Sequence, residues 1–267
     1  MTEAAARRVL ARFRAHAAVV FGSGLEALPA GAEVEDELAY DELGWPRTGV
    51  PGHANTVRLV SGVAAGEARL RLALACGRPH LYEGWSQDEL RRPVRDLAEA
   101  GVTRIVLTNS TGALRPLVEP GDVVVCGDRV DLQSPPEGAE PPRLEVCGAA
   151  AAAAVAAALR DAGERGETSA GVHTGAYVAV AGPQFETRAE VEWLAGYGDV
   201  VGMSAAPEVR AAGAAGAECC LLALVANRAA EVGSHEEVLT RGAGAARGLS
   251  AGLGAAGAAR WPGLIRP

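Results

Sequence analysis

Short apolar, β-type runs alternate with helical patterns along this chain, and most of the runs end at a glycine or a polar turn. The runs are Ala17–Phe21 before Gly22-Ser23-Gly24, Arg69–Ala75 before Cys76-Gly77-Arg78, and Arg104–Thr108 before Asn109-Ser110-Thr111-Gly112. Asp122–Cys126, Ala176–Ala181 and Cys219–Ala226 follow. Helical patterns lie at Glu89–Ala100, Ala149–Ala162, Ala189–Tyr197 and Glu236–Ala251. Parallel strands need a crossover, and a helix supplies one, so this order predicts an α/β fold. The expected architecture is a mixed, largely parallel twisted central sheet flanked by helices. Ligands in such sheets bind outside the carboxyl ends of the strands, where these polar turns begin. No repeat or linker divides the chain, so residues 1–267 read as one domain.

Composition narrows the functional classes. Hydrophobic residues are 49% and charged residues 22% of the chain, as in a folded globular protein. The net charge of −8 argues against a nucleic-acid surface, which needs dense Lys and Arg. A few local donors could still hold one phosphate. Arg7, Arg8, Arg12 and Arg14 interrupt the only candidate signal peptide, and no run approaches the ~20 apolar residues of a membrane span. The five cysteines have no metal spacing, and adjacent Cys219 and Cys220 read as small buried hydrophobes in a strand. The five histidines are dispersed, so no metal site is expected. A cytoplasmic location is the expectation.

The chemistry concentrates in four places. Gly22-Ser23-Gly24 is either an ordinary tight turn or an anion cradle of backbone N–H groups with Ser23. In Gly77-Arg78-Pro79-His80-Leu81-Tyr82-Glu83-Gly84, alternation sends Arg78, His80 and Tyr82 to one side of an extended segment. A guanidinium and an imidazole side by side would repel unless they shared an anion. Asn109-Ser110-Thr111-Gly112 reads as a loop whose amides could complete that anion site, or as side-chain turns alone.

The fourth place is Ala181-Gly182-Pro183-Gln184-Phe185-Glu186-Thr187 with Val201-Gly202-Met203-Ser204. Thr187-Arg188-Ala189-Glu190 forms a capping box, which sets Glu186 just outside a helix. An aromatic ring beside a carboxylate there suits a pocket that stacks a flat heterocycle and hydrogen-bonds its edge. Asn227 ends an apolar strand with an amide that both donates and accepts. A second capping box, Ser234-His235-Glu236-Glu237, puts His235 in the first turn of the last helix.

Together these residues resemble the trimeric purine nucleoside phosphorylases and their methylthioadenosine-cleaving relatives. The likeness runs from about Val19 to Ala246 and includes Pro51-Gly52-His53, Thr108-Asn109, Val-Gly-Met-Ser-x-x-Pro-Glu and His-Glu-Glu-Val. It implies a nucleoside phosphorylase-like fold, a homotrimer, and phosphorolysis of a purine nucleoside to base and pentose 1-phosphate. Inorganic phosphate is then the co-substrate, with no cofactor or metal. By motif, Ser23, Arg78, His80, Ser204 and the backbone of Ser110 bind phosphate. Tyr82, Met203 and His235 hold the ribose, and Phe185, Glu186, Val201 and Asn227 the base. Asn227, Glu186, His235 and His80 form the expected catalytic set.

Asn227 with His235 implies 6-oxopurine nucleosides of the inosine and guanosine type. The methylthioadenosine-cleaving relatives carry an aspartate at the position of Asn227. The alternatives are a phosphorylase for methylthioadenosine or another 5′-modified nucleoside, and a non-catalytic purine-binding homologue. The chain departs from the family pattern at Pro79, Ala205, Ala226 and Arg228. It is also shortened at Gln133–Glu145, a Pro- and Glu-rich surface loop where the family has a longer segment reaching the neighbouring sugar site. A more open sugar pocket follows as an expectation.

Overall fold

The computed structural model describes residues 1–231 apart from 24, 27, 30, 66–67, 134–145 and 165–169. The elements run α1 (Glu3–Phe13), β1 (Ala17–Val20), β2 (Glu33–Ala39), α2 (Tyr40–Leu43), β3 (Thr56–Ala65), β4 (Ala68–Cys76) and α3 (Gln87–Glu99). They continue with β5 (Arg104–Ala113), β6 (Val123–Asp131), α4 (Gly148–Glu164), β7 (Val172–Ala179), α5 (Arg188–Leu194), β8 (Val200–Gly202), α6 (Ala206–Ala214) and β9 (Glu218–Arg228). The expected helix Glu236–Ala251, His235 with its capping box, and most of the Gln133–Glu145 segment lie outside the described residues.

The strands join one sheet in the order β2-β3-β4-β1-β5-β8-β7-β6-β9, and β9 returns to pair with β5. The sheet therefore closes on itself through β5, β8, β7, β6 and β9. The pairings β1/β4, β1/β5, β5/β9, β6/β7 and β7/β8 are parallel. Those of β2/β3, β3/β4, β5/β8 and β6/β9 are antiparallel.

Both faces of the central strands are covered, which is why their sequences are continuous apolar runs rather than alternating ones. On β9, Cys219, Leu221, Ala223 and Val225 enter the cluster that contains Tyr40, Trp45, Leu97 and Tyr177. Cys220, Leu222 and Leu224 point the other way, toward Phe21, Leu74 and Leu159 of α4. The adjacent cysteines thus sit one on each face, and burial pushes both thiols well up. They are inert apolar filling.

Two differences from the sequence reading matter. Asn109–Gly112 is not a loop: β5 continues through it to Ala113. Asn109, Ser110 and Thr111 pair with Ala223, Leu224 and Val225 of β9, and Gly112 pairs with Val201 of β8 and, after a register shift, with Asn227. The Thr111 hydroxyl also donates to the Leu224 carbonyl at 2.9 Å. Long-range pairing overrides the local turn signal of Asn, Ser and Gly. Strands β2 and β3 were also not apparent in the sequence. At the sheet edge, β2 is acidic and exposed over Glu33–Glu37, so it shows no apolar run. Charge of this kind discourages edge-to-edge pairing.

Candidate active site

A cavity of about 140 Å³ opens beside the carboxyl ends of β1, β4, β8 and β9 and the last residues of β5. Ser23, Arg78, His80, Ser110 and Ser204 line one part of it. Tyr82, Met203, Phe185, Glu186, Val201 and Asn227 line the rest. Of the residues selected from the sequence, His235 alone lies outside the described part of the chain.

Arg78 is the most deeply set of these groups, at 1% exposure. It sits just past β4, and its Nε donates to Glu208 Oε1 at 2.8 Å. Nη2 donates to the Val20 carbonyl at 3.2 Å, and Nη1 donates to the Thr108 carbonyl. These bonds use three of the five guanidinium N–H donors and leave the others for a ligand. Glu208 lies in the first turn of α6, itself 6% exposed. Arg78 and His80 thus each face a carboxylate of their own, Glu208 and Glu83, so neither relies on a shared anion alone for a partner.

For His80 that carboxylate is Glu83. The segment is not uniformly extended: Leu81–Glu83 forms one turn of 3-10 helix. The turn brings Glu83 back to His80, whose Nδ1 lies 3.1 Å from Oε2. It also stacks the His80 and Tyr82 rings at 4.7 Å. Burial favours neutral His80 and lowers its pKa despite the carboxylate beside it. Burial would raise the pKa of Glu83. Hydrogen bonds from the His80 side chain, the backbone N–H groups of Gly49 and His80, and the Thr48 hydroxyl overcome this and hold it at about 2. Glu83 thereby ties residues 48–49 to the cavity wall. Burial and the nearby Glu83 charge push the Tyr82 phenol up to about 12, so it remains a hydroxyl donor.

Ser204 follows β8 and is held by Tyr177 of β7. The Tyr177 hydroxyl donates to the Ser204 carbonyl at 2.7 Å and accepts from the Ser204 N–H at 3.2 Å. The next residue, Ala205, takes a φ of 66°, unusual for a residue with a side chain. This turn aims Ser204 into the cavity and starts α6. Opposite, Gly182 has a φ of 70°, and a Cβ there would lie 2.5 Å from Met203 Sδ and 2.9 Å from Tyr82 Cδ1. Only glycine lets the chain pass so close to those two side chains.

The capping box at Thr187 forms as expected: Thr187 Oγ1 accepts from the Glu190 N–H at 3.3 Å, and Glu190 Oε2 accepts from the Thr187 N–H at 2.7 Å. Glu186 precedes it, and burial raises its pKa, with the Glu190 charge adding to the shift. Asn227 donates from Nδ2 to the Arg228 carbonyl at 2.8 Å, which uses one of its two N–H donors.

The structure adds residues to which the sequence reading gave no role. His53 Nε2 lies 3.0 Å from Ser23 Oγ, and its Nδ1 lies 3.3 Å from Glu26 Oε1. The Pro51-Gly52-His53 motif was the available signal. Asn109 lines the cavity, and both polar atoms of its amide are buried without a hydrogen-bond partner among the described residues. Glu208 ends the Val-Gly-Met-Ser-x-x-Pro-Glu motif, but its pairing with the distant Arg78 has no local signal, and Tyr177 lies inside an ordinary apolar strand. Among the described residues there is no group of three or more His, Cys, Asp or Glu side chains suited to a metal ion, and no helix is long and apolar enough to cross a membrane.

Comparison with known proteins gives a consistent result. The family model described as "Phosphorylase superfamily" matches residues 16–253. The purine nucleoside phosphorylase of Mus musculus is 34% identical over 255 residues, covering 89% of this chain and 86% of the relative. That of Mycobacterium tuberculosis is 36% identical over 250 residues, covering 88% and 85%. A schistosome purine nucleoside phosphorylase solved with hypoxanthine superposes with a TM-score of 0.75 at 26% identity, over 96% of this chain and 97% of the other. The Schistosoma mansoni enzyme solved with inosine gives 0.74 at 25% identity, over 95% and 96%.

Proposed function

The chain belongs to the phosphorylase superfamily, among its purine nucleoside phosphorylases, and from that membership we propose that its cavity cleaves 6-oxopurine nucleosides against inorganic phosphate. The observation that carries the reading is the convergence of Arg78, Glu186 and Asn227, three polar side chains from distant parts of the chain, on one cavity. In this reading Ser23, Arg78, His80, the backbone of Ser110 and Ser204 bind phosphate. Tyr82, Met203 and His235 hold the sugar. Phe185 and Val201 contact the base, whose edge Glu186 and Asn227 hydrogen-bond.

Cleavage of the glycosidic bond moves positive charge onto the sugar and negative charge onto the departing base. Phosphate, held by the remaining N–H donors of Arg78 and by hydroxyls, stabilises the sugar cation and then bonds to its anomeric carbon. An Asn227 N–H aimed at N7 or the 6-oxo group stabilises the charge on the base, and preorganised donors of this kind are often the largest catalytic contribution. Ionised Glu186 accepts from N1–H, which a 6-oxopurine has and adenine lacks. The same reading takes no metal or organic cofactor. It describes a one-domain chain working as a cytoplasmic homotrimer, and the single sheet supports the one-domain part.

The test is phosphate-dependent base release from inosine, guanosine, adenosine, methylthioadenosine and uridine. Turnover of inosine and guanosine well above the others is expected. Absence of turnover for both 6-oxopurine nucleosides would overturn the reading.

A further inference from the structure

A second cavity, of about 390 Å³, lies against the first and shares Phe185 and Glu186 with it as a common wall. Its other walls include Leu132 just past β6, Val180 after β7, Gln184 and Thr187 in the turn before α5, and Glu190, Trp193 and Leu194 of α5. Leu194 is buried beneath it, while Leu132, Phe185 and Trp193 are exposed at 43%, 49% and 54%. The nearest acid beyond Glu186 is Glu190, whose Oε2 is engaged by the Thr187 N–H and hydroxyl at 2.7 and 2.8 Å. The groove thus sets the apolar and aromatic side chains of Leu132, Val180, Phe185 and Trp193 beside the polar groups of Gln184, Thr187 and Glu190, the last already committed to a helix cap.

We infer that this groove is a substituent subsite, taking an aromatic or branched alkyl group carried on the exocyclic 2-amino nitrogen of a 6-oxopurine nucleoside. The inference rests on the proposed placement of the base edge at Glu186. N1–H and the 2-amino group lie next to each other on that edge, so a base that gives N1–H to Glu186 turns its 2-amino group toward the same wall. A substituent on that nitrogen leaves the first cavity past Glu186 and Phe185 and enters the second. The 2-amino nitrogen keeps one N–H, so the edge still donates to the carboxylate. The space is sufficient, because an apolar cavity of about 150 Å³ is enough to hold benzene. Trp193 offers an aromatic face, and aromatic pairs prefer offset or edge-to-face contacts at such separations.

The experiment compares kcat/KM for guanosine, N2-benzylguanosine and 8-benzylaminoguanosine in the wild type and in Trp193→Ala. Wild-type enzyme is expected to use N2-benzylguanosine at a rate comparable with guanosine and to discriminate against the 8-substituted isomer, whose group points to the opposite edge. Trp193→Ala is expected to lower kcat/KM for N2-benzylguanosine by about fivefold, the scale of one aromatic contact, and to leave guanosine unchanged. Turnover of guanosine with rejection of N2-benzylguanosine overturns the subsite and leaves the proposed function standing. Equal use of both benzyl isomers, or an identical loss for all substrates in the variant, also overturns it. Failure with guanosine itself strikes the proposed function instead. Should the variant fail to fold, a crystal of the wild type with N2-benzylguanine decides: the benzyl ring packs on Trp193, or the subsite is refuted. A second copy of the chain covering Trp193 in that crystal and in solution would refute it equally.

Discussion

Arg78 and Glu208 meet at 2.8 Å although 130 residues separate them in sequence, and both are almost wholly buried. The pair joins the end of β4 to the first turn of α6. Removing one partner of such a pair strands a buried charge, at a cost of about 3–5 kcal/mol. Glu208→Ala is therefore expected to unfold at markedly lower urea. Glu208→Gln keeps the shape but frees the guanidinium to turn, so the KM for phosphate should rise while the KM for the nucleoside stays put. Steady-state kinetics with each substrate varied separately checks the split.

Tyr177 holds Ser204 through two hydrogen bonds to its backbone. Tyr177→Phe leaves the buried Ser204 carbonyl without that donor, which costs about 1–3 kcal/mol. Because Ser204 then loses its aim, phosphate binding should weaken as well. Urea unfolding and phosphate titration by calorimetry measure the two effects on one variant.

Gly182→Ala should damage nucleoside use more than phosphate use. The new methyl would press on Met203 and Tyr82, the groups assigned to the sugar, and the positive φ adds about 1–2 kcal/mol of strain. Gly213→Ala on α6 is the control, since no heavy atom lies within 4 Å of a Cβ there. That change should be neutral or stabilising by up to about 1 kcal/mol. Kinetics and thermal melts of the two variants, compared side by side, give the answer.

Glu186 should set the acid limb of activity. Burial raises its pKa, so its carboxylate takes up a proton at a higher pH than an ordinary glutamate. As pH falls through that raised value the acceptor for N1–H disappears, and kcat/KM for guanosine declines. A pH profile of wild type against Glu186→Gln tests this: the variant should be low throughout and lack that limb.

Asn227→Ala is expected to lose about 3–4 kcal/mol of transition-state stabilisation, the scale of one oxyanion-type donor. The loss should fall mainly on kcat. Single-turnover base release at saturating nucleoside and phosphate measures it directly. A fall confined to KM would assign Asn227 to binding alone.

Much of the site was legible because its residues stand at strand ends inside short local motifs. Gly182 through Thr187, with the capping box at Thr187, could be read as a turn leading into a helix, and the structure forms that turn. Arg78, His80 and Tyr82 could be assigned together because they sit two residues apart. The 3-10 turn that stacks His80 on Tyr82 could not, since it depends on Glu83 folding back to accept from Thr48 and Gly49.

The amino-acid order by itself determined the alternation of elements and the chemistry available at each strand end, because these follow from local periodicity and residue type. Only the tertiary structure decided which of those ends share one cavity and what holds each side chain there. Asn109–Gly112 became strand through pairing with β9, and Arg78 found Glu208 through the packing of α6 on the sheet. Such partners are chosen by register and crossover over more than a hundred residues, and no local pattern encodes that distance.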